Sequence, residues 1–207
     1  MYLSRVQLAM DNRNTMLALT DSNHFHGALE TCFSYTESRK LWRLDNVNGT
    51  MYMLVLSQEE PNLSPFCKQF SPSQDSWETK DYTPLLENLK ADTIWRFRLT
   101  SNPTISHRTD KDKRGKVLAH ITTEYQRKWL IERSEKNGFQ LFENDFNVTG
   151  NKWQRFIKKD RRYVTFLSVT YEGLLNIKDV DLFRKVLTEG LGRGKAYGMG
   201  LMTVMRV

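Results

Sequence analysis

The chain opens on a stretch, Tyr2 to Ala9, whose apolar residues include Leu3, Val6 and Leu8, and which reads as a first strand. Phe25, Ala28, Leu29 and Cys32 then recur at three- and four-residue spacing. That is the period of a helix with one face against a core, and it predicts a helix over about 24–34. Arg39 to Val47 and Thr50 to Ser57 are strand-like runs separated by Asn48-Gly49, a dipeptide that favours the tight turn of a hairpin. Phe66 and Phe70 fit a short helix near 62–70, and a strand near 77–82 follows. A second series begins with a strand from Thr93 to Thr100, which ends before Asn102-Pro103. Tyr125, Trp129 and Ile131 give part of the apolar face of a helix near 122–137, and Gly138 is a natural stop. Phe139 to Val148 and Arg162 to Leu175 read as strands. Leu182, Val186 and Leu187 support a helix over about 178–189, with Asp179 and Asp181 early, where the helix dipole favours negative charge. Leu201 to Met205 gives the last strand.

The order strand, helix, strand, strand, helix, strand therefore occurs twice. It is the split βαβ pattern of a ferredoxin-like domain, with two helices on one face of a four-stranded antiparallel sheet. The predicted fold class is α+β, two tandem ferredoxin-like (RRM-like) domains over residues 1–88 and 89–207, with the join near 84–92. One mixed α+β domain is the alternative architecture. RNA recognition modules share this topology, but their aromatic pattern is missing here. Loops and inter-domain surfaces are then better candidates for nucleic acid than stacking sheet faces. The fold by itself licenses no function.

Composition narrows the partners. The 207 residues are 39% hydrophobic and 27% charged, an ordinary globular balance. No apolar run approaches the roughly 18 residues of a membrane span, and the first residues lack the continuous apolar region of a signal peptide. A cytoplasmic protein with no membrane partner is expected. Cys32 and Cys67 form no CxxC pair, and with four histidines they make a poor zinc inventory. No carboxylate set for a divalent metal stands out, so no metal and no cofactor are expected. The formal net charge is +7, and residues 101–207 hold 21 of the 31 Lys and Arg while the first hundred are slightly acidic. A polyanion bound mainly by the second half fits that asymmetry.

Three segments concentrate the candidate chemistry. Arg108, Lys111, Lys113, Arg114 and Lys116 form a cationic loop around Gly115, flanked by His107 and His120. Lys152, Arg155, Lys158, Lys159, Arg161 and Arg162 form a second patch, interleaved with Trp153 and Phe156, which are expected to pack. A helix or tight hairpin there would turn the charges toward RNA phosphates. Solvated surface charge is the ordinary alternative for both. Gly190, Gly192, Gly194, Gly198 and Gly200 make a permissive segment in which backbone amides can approach a phosphate, with Arg193 and Lys195 adding charge. It lacks the GxxxxGK[ST] order of a P-loop, and a structural turn before the last strand is its plainer reading. His24 and His26 stand at a helix start, where a surface or capping role is the ordinary account.

MYLSRVQLA at the start, HGALETCF at 26–33 and GLGRGKAYGMGLMTV at 190–204 carry a resemblance. Over essentially the whole chain the sequence resembles the CasE family, the repeat-processing endoribonucleases of type I-E Cascade. The resemblance implies sequence-selective cutting of CRISPR repeat hairpin RNA and retention of the hairpin end of the mature guide RNA (crRNA). It also implies a place in Cascade among its other subunits, meeting target DNA only through that complex. It makes His26 the catalytic residue. RNA brings its own nucleophile, the 2′-hydroxyl, and a histidine can take or give a proton at physiological pH without a metal. The family commonly has a tyrosine three residues before that histidine. Here the position is Asn23, and Asn23 and His24 are the auxiliary candidates. A non-catalytic hairpin-RNA-binding subunit is the alternative function, and a protein-interaction module that binds no RNA is a third.

Overall fold

A computed structural model describes residues 1–34, 38–107, 116–157 and 163–207. Strands β1 (Tyr2–Gln7), β2 (Leu41–Val47), β3 (Thr50–Ser57) and β4 (Trp77–Asp81) form an antiparallel sheet in the order β2-β3-β1-β4. Asn48 and Gly49 take φ of 52° and 83°, the left-handed pair that a two-residue hairpin turn requires. Alternation along the strands sends Val6, Trp42, Met53 and Val55 to the face covered by helices. There they meet Phe25 and Leu29 of α2 (Asn23–Glu30) and Phe66 and Phe70 of α3 (Ser64–Phe70). The rings of Phe25 and Phe70 pack edge-on at 5.1 Å, and those of Phe66 and Phe70 lie 4.8 Å apart.

The helix expected over 24–34 is present but shorter. An additional α1 (Arg13–Thr20) precedes α2, which ends at Glu30. Asn12 caps α1 by accepting the backbone N–H groups of Asn14 and Thr15. Its burial runs against its hydropathy: Thr15 and Ala18 are buried, whereas Met16 and Leu17 are about half exposed.

The second sheet repeats the arrangement. Its strands are β5 (Ile94–Ser101), β8 (Phe139–Gln140), β9 (Phe146–Ile157), β10 (Tyr163–Ile177) and β11 (Met202–Arg206). The order is β11-β5-β10, with β8 and β9 both paired to the far edge of β10. The single strand expected over 139–148 is thus broken into β8 and the start of β9. Helices α5 (Thr123–Lys136) and α6 (Val180–Glu189) cover one face, burying Trp129, Leu130, Phe183, Val186 and Leu187 against Phe97, Leu99, Tyr171 and Leu175. Thr122 and Asp179 cap these helices. Tyr125, expected on the apolar face of α5, is 54% exposed. Gln126 takes the buried place, its side-chain amide donating to the carbonyls of His120 and Ile121 while its backbone carbonyl accepts the Tyr171 hydroxyl. Two further additions are α4 (Thr83–Glu87), within the expected join, and a hairpin of β6 (Thr104–His107) with β7 (Lys116–Ala119). Strand order and connectivity make both sheets ferredoxin-like, and the α+β expectation holds.

The helix-free face of the first sheet packs against the second unit. Leu41 and Leu56 of the first sheet, with Tyr82, Leu86 and Leu89, belong to the same apolar cluster as the second sheet's core. Beside them Arg43, 2% exposed, uses all five N–H donors. Nε and Nη2 grip both oxygens of Asp45 at 2.9 and 2.7 Å. Nη1 donates to the carbonyls of Arg98 and Leu201, and Nη2 also donates to Thr203 Oγ1. One side chain of the first sheet therefore fixes β5 and β11 of the second.

Candidate active site

α2 starts under Asp21, whose carboxylate accepts the backbone N–H of Asn23 at 3.0 Å and its side-chain amide at 2.8 Å. A negative group at that position suits the helix dipole. Phe25 and Leu29 face the core, so His26 falls at the edge of the buried stripe with its side chain 40% exposed, while His24 is exposed. One helical turn on, Glu30 faces it: Oε1 lies 3.8 Å from His26 Nδ1. The other carboxylate oxygen accepts Lys40 Nζ at 2.8 Å. The Lys40 side chain is only 3% exposed, and its ammonium sits 5.0 Å from the centre of the Phe33 ring.

The glycine-rich segment lies next to this helix. A single 3-10 turn, Lys195–Tyr197, packs against α2 and β2, between Gly194 and Gly198 at φ of 85° and 79°. Thr100 O accepts Gly200 N–H, and Gly200 O accepts Leu191 N–H, which ties the segment to β5 and to itself. The need for glycine is explicit at two positions. A Cβ on Gly198 would stand 2.6 Å from the buried Trp42 ring, and one on Gly192 would stand 2.6 Å from Ser101 Oγ. Each also has positive φ, which disfavours any L side chain. Burial and the neighbouring Arg39 guanidinium push the Lys195 ammonium below its ordinary titration range, with Glu189 opposing.

A cleft of about 260 Å³ opens where α2, the glycine-rich turn and the second sheet converge. Ser22, Phe25, Trp42, Lys152, Tyr197 and Gly198 are among its walls. Trp42 Nε1 and Gln154 Oε1 are buried there with no hydrogen-bond partner among the described residues. Such atoms need a partner, and a bound polar molecule supplies one. A second groove, about 320 Å³, runs between the β6–β7 hairpin and α5, lined by Thr104, Ser106, His120, Lys128, Glu132 and Arg133. Arg133 lies over the Trp129 ring at 4.3 Å. Desolvation lowers its titration range, and Arg193 is among the charges that act on it. His120 is likewise held below its ordinary range, first by burial and then by Arg133, with Glu132 opposing. The glycine-rich segment thus runs from Lys195, beside α2, to Arg193, near α5.

The structure sets the helix of Asn23 and His26 against the turn of Gly194, Lys195 and Gly198, with Lys152 on the wall of the same cleft as Gly198. Gly192 and Arg193 lie further along, beside Ser101 and Asn102, and Lys116 is exposed on β7 opposite His107 in register. A helix or tight hairpin had been expected here; Lys152 and Arg155 sit on β9, one strand of the antiparallel β9–β10 pair, and the Arg155 guanidinium lies 3.9 Å over the Tyr163 ring. Arg108, Lys111, Lys113 and Arg114 of the first cationic segment, and Lys158, Lys159, Arg161 and Arg162 of the second, lie outside the described residues. Trp153, expected to pack, is 52% exposed. Over Tyr163 to Ser168, before the pairing with β5 begins at Val169, β10 pairs only with β9, as a two-stranded ribbon. Sequence reasoning missed Glu30 and Lys40. It also missed Lys128 and Arg133, although Glu124, Lys128 and Glu132 recur at helical spacing. Both cysteines are buried free thiols, and burial raises their titration range. Among the described residues, no group of three or more His, Cys, Asp or Glu could hold a metal ion.

A family model described as CRISPR associated protein matches residues 1–206. The chain belongs to that family. The CRISPR-associated endoribonuclease Cse3 of Thermus thermophilus is 27% identical to it over 223 residues, covering 99% of each protein. A structure of the CRISPR endoribonuclease Cse3 bound to a 19-nucleotide RNA has a TM-score of 0.85 at 27% identity, over 99% of this chain and 100% of that one. Cas6e from Escherichia coli shares the fold at 23% identity and a TM-score of 0.69, with both chains fully covered. The resemblance to CasE read from three short stretches therefore extends along the whole family member.

Proposed function

We propose that this family member is an endoribonuclease that cuts CRISPR precursor RNA within the repeat, without a metal, and keeps the hairpin end of the mature guide RNA as a subunit of Cascade. The observation that carries the reading is full-length similarity, in sequence and fold, to an endoribonuclease seen bound to RNA. The site supplies the chemistry. The 2′-oxygen attacks the adjacent phosphorus, the bond to the next nucleotide's 5′-oxygen breaks, and a proton passes from the first oxygen to the second. His26, half-exposed on the helix whose start, at Ser22 and Phe25, lines the cleft with Lys152 and the glycine-rich turn, takes the first proton or delivers the second. A positioned acid–base group contributes about 10²–10⁴ in rate. Lys152 on the cleft wall and Lys195 in the glycine-rich turn supply positive charge to offset the negative charge of the phosphate. Lys116, Lys128, Arg133 and Arg193 extend that charge along the second groove for the RNA backbone.

The two sheets mark, on this reading, an N-terminal unit over 1–88 that carries the catalytic helix and a C-terminal unit over 89–207 that carries most of the RNA contacts. No described helix is long and apolar enough to cross a membrane. On this reading the protein works in the cytoplasm, touching other Cascade subunits and reaching target DNA only through them. Incubation with repeat hairpin RNA in EDTA tests the reading. Cutting should persist and leave a 5′-hydroxyl fragment and a cyclic-phosphate 3′ end. A 2′-deoxy nucleotide at the cut should abolish cleavage and spare binding. Tight binding of the all-ribo hairpin with no cleavage would establish the non-catalytic alternative instead.

A further inference from the structure

We propose that Glu30, clamped by Lys40, is the positioning residue for His26, holding its imidazole by Nδ1 so that Nε2 faces the RNA. The inference rests on the endoribonuclease reading and deepens it. Its first observation is the shared helix face. His26 and Glu30 are four residues apart on α2, the spacing that stacks side chains one turn apart, and Oε1 stands 3.8 Å from Nδ1. The second is that this carboxylate is not free to swing away. Its Oε2 accepts Lys40 Nζ at 2.8 Å, from a side chain that is 3% exposed and packed at the Phe33 ring.

A buried ammonium on the strand side of the helix therefore fixes one oxygen of Glu30 and leaves the other directed at the histidine. The carboxylate lies on the Nδ1 side of the ring, 3.8 Å away and short of a hydrogen bond until the ring turns toward it, so the nitrogen left to meet RNA is Nε2. When Nε2 takes the 2′-hydroxyl proton, positive charge appears on the ring next to a fixed negative group. When Nε2 gives a proton to the leaving 5′-oxygen, the same carboxylate has held the protonated ring in place. Orienting the base through a third group is the general logic of nucleophile–base pairs. The tyrosine position of the family is filled here by Asn23, whose amide donates to Asp21 Oδ1 on the N-terminal side, so the ring's close charged neighbour is one turn C-terminal instead.

The test is a double-mutant cycle on single-turnover cleavage of repeat hairpin RNA, with RNA affinity and melting temperature measured for each variant. Glu30→Gln should slow cutting about tenfold, less than the loss in His26→Ala, with RNA affinity within twofold of wild type. Combined with His26→Ala, it should slow cutting no further, because the residue acts only through the ring. Glu30→Gln strands the Lys40 charge and can unfold the helix. Glu30→Gln/Lys40→Met removes both charges, keeps the fold and should show the same tenfold loss. An unchanged rate in this double variant, with His26→Ala inactive, would overturn the positioning role and leave the endoribonuclease reading standing. A further loss in the His26→Ala background would also overturn it. Wild-type cutting by His26→Ala would instead defeat the underlying assignment of His26.

Discussion

Arg43→Met should weaken the whole protein more than its single side chain suggests. The guanidinium is buried and makes five hydrogen bonds: two to Asp45, two to the carbonyls of Arg98 and Leu201, and one to Thr203 Oγ1. Methionine fills a similar volume but donates nothing. Removing one member of a buried ion pair costs about 3–5 kcal/mol, chiefly because the other charge is left uncompensated. Here Asp45 keeps one cation, Arg98 Nε at 3.2 Å, which places the expectation at the lower end, about 3 kcal/mol. For a chain of this size each kcal/mol is worth about 2–4 °C in melting temperature, so the midpoint should fall by about 6–12 °C. The two carbonyls that lose their donor belong to β5 and to Leu201, the residue between the glycine-rich segment and β11. The helix carrying His26 and the turn carrying Lys195 should therefore lose their fixed separation, and RNA affinity should fall with stability. Urea unfolding and a thermal melt measure the first, and titration of repeat hairpin RNA the second. Adding Asp45→Leu should recover part of the loss, since replacing both partners with apolar groups is near neutral. A stability loss below about 1 kcal/mol would refute the idea that Arg43 locks the two sheets together.

Gly198→Ala combines a left-handed backbone with a Cβ 2.6 Å from the Trp42 ring, and should lower stability by about 2–3 kcal/mol in a thermal melt. A larger effect on RNA affinity than on melting would instead mean that this glycine meets phosphate directly. His120 is depressed in the folded state, so the native protein binds fewer protons than the unfolded chain below the ordinary histidine range. Its stability contribution is complete above pH 6.5 and is lost as pH falls through the folded value. His120→Gln should remove that part of the acid sensitivity when melts at pH 7.5 and pH 5.5 are compared. Lys152→Ala/Lys195→Ala should weaken RNA binding and reduce the slope of log affinity against log salt by about 1–2. Unchanged affinity and slope would remove the cleft from the RNA path.

The fold was legible wherever burial followed hydropathy. Val6, Leu8, Phe25, Leu29, Phe66 and Phe70 are apolar and buried, and Asn48-Gly49 makes the turn its chemistry favours. α1 was not legible because it buries Thr15 and Ala18 and exposes Met16 and Leu17. The β6–β7 hairpin was hidden for a related reason. Its strands are four residues long, and Ile105, Val117 and Leu118 remain exposed, so no alternation separates an inner face from an outer one. The glycine-rich segment was read as a phosphate approach from composition. Its geometry adds a packing requirement against Trp42 and Ser101 that only the folded chain displays. His26 came from resemblance, since one histidine at a helix start has no distinctive spacing. Glu30 stood four residues beyond it in the sequence. Its significance depends on Lys40 arriving just before β2, and local spacing cannot show that contact.

The measurement that bears most directly on the account is single-turnover cleavage of repeat hairpin RNA by His26→Ala in EDTA, with RNA affinity measured on the same preparation. The account predicts a rate lower by about 10²–10⁴ at nearly unchanged affinity, because the residue moves a proton and does not hold the RNA. A His26→Ala protein that cuts at the wild-type rate, or a wild-type protein that cuts only with a divalent metal and leaves a 3′-hydroxyl, would contradict it.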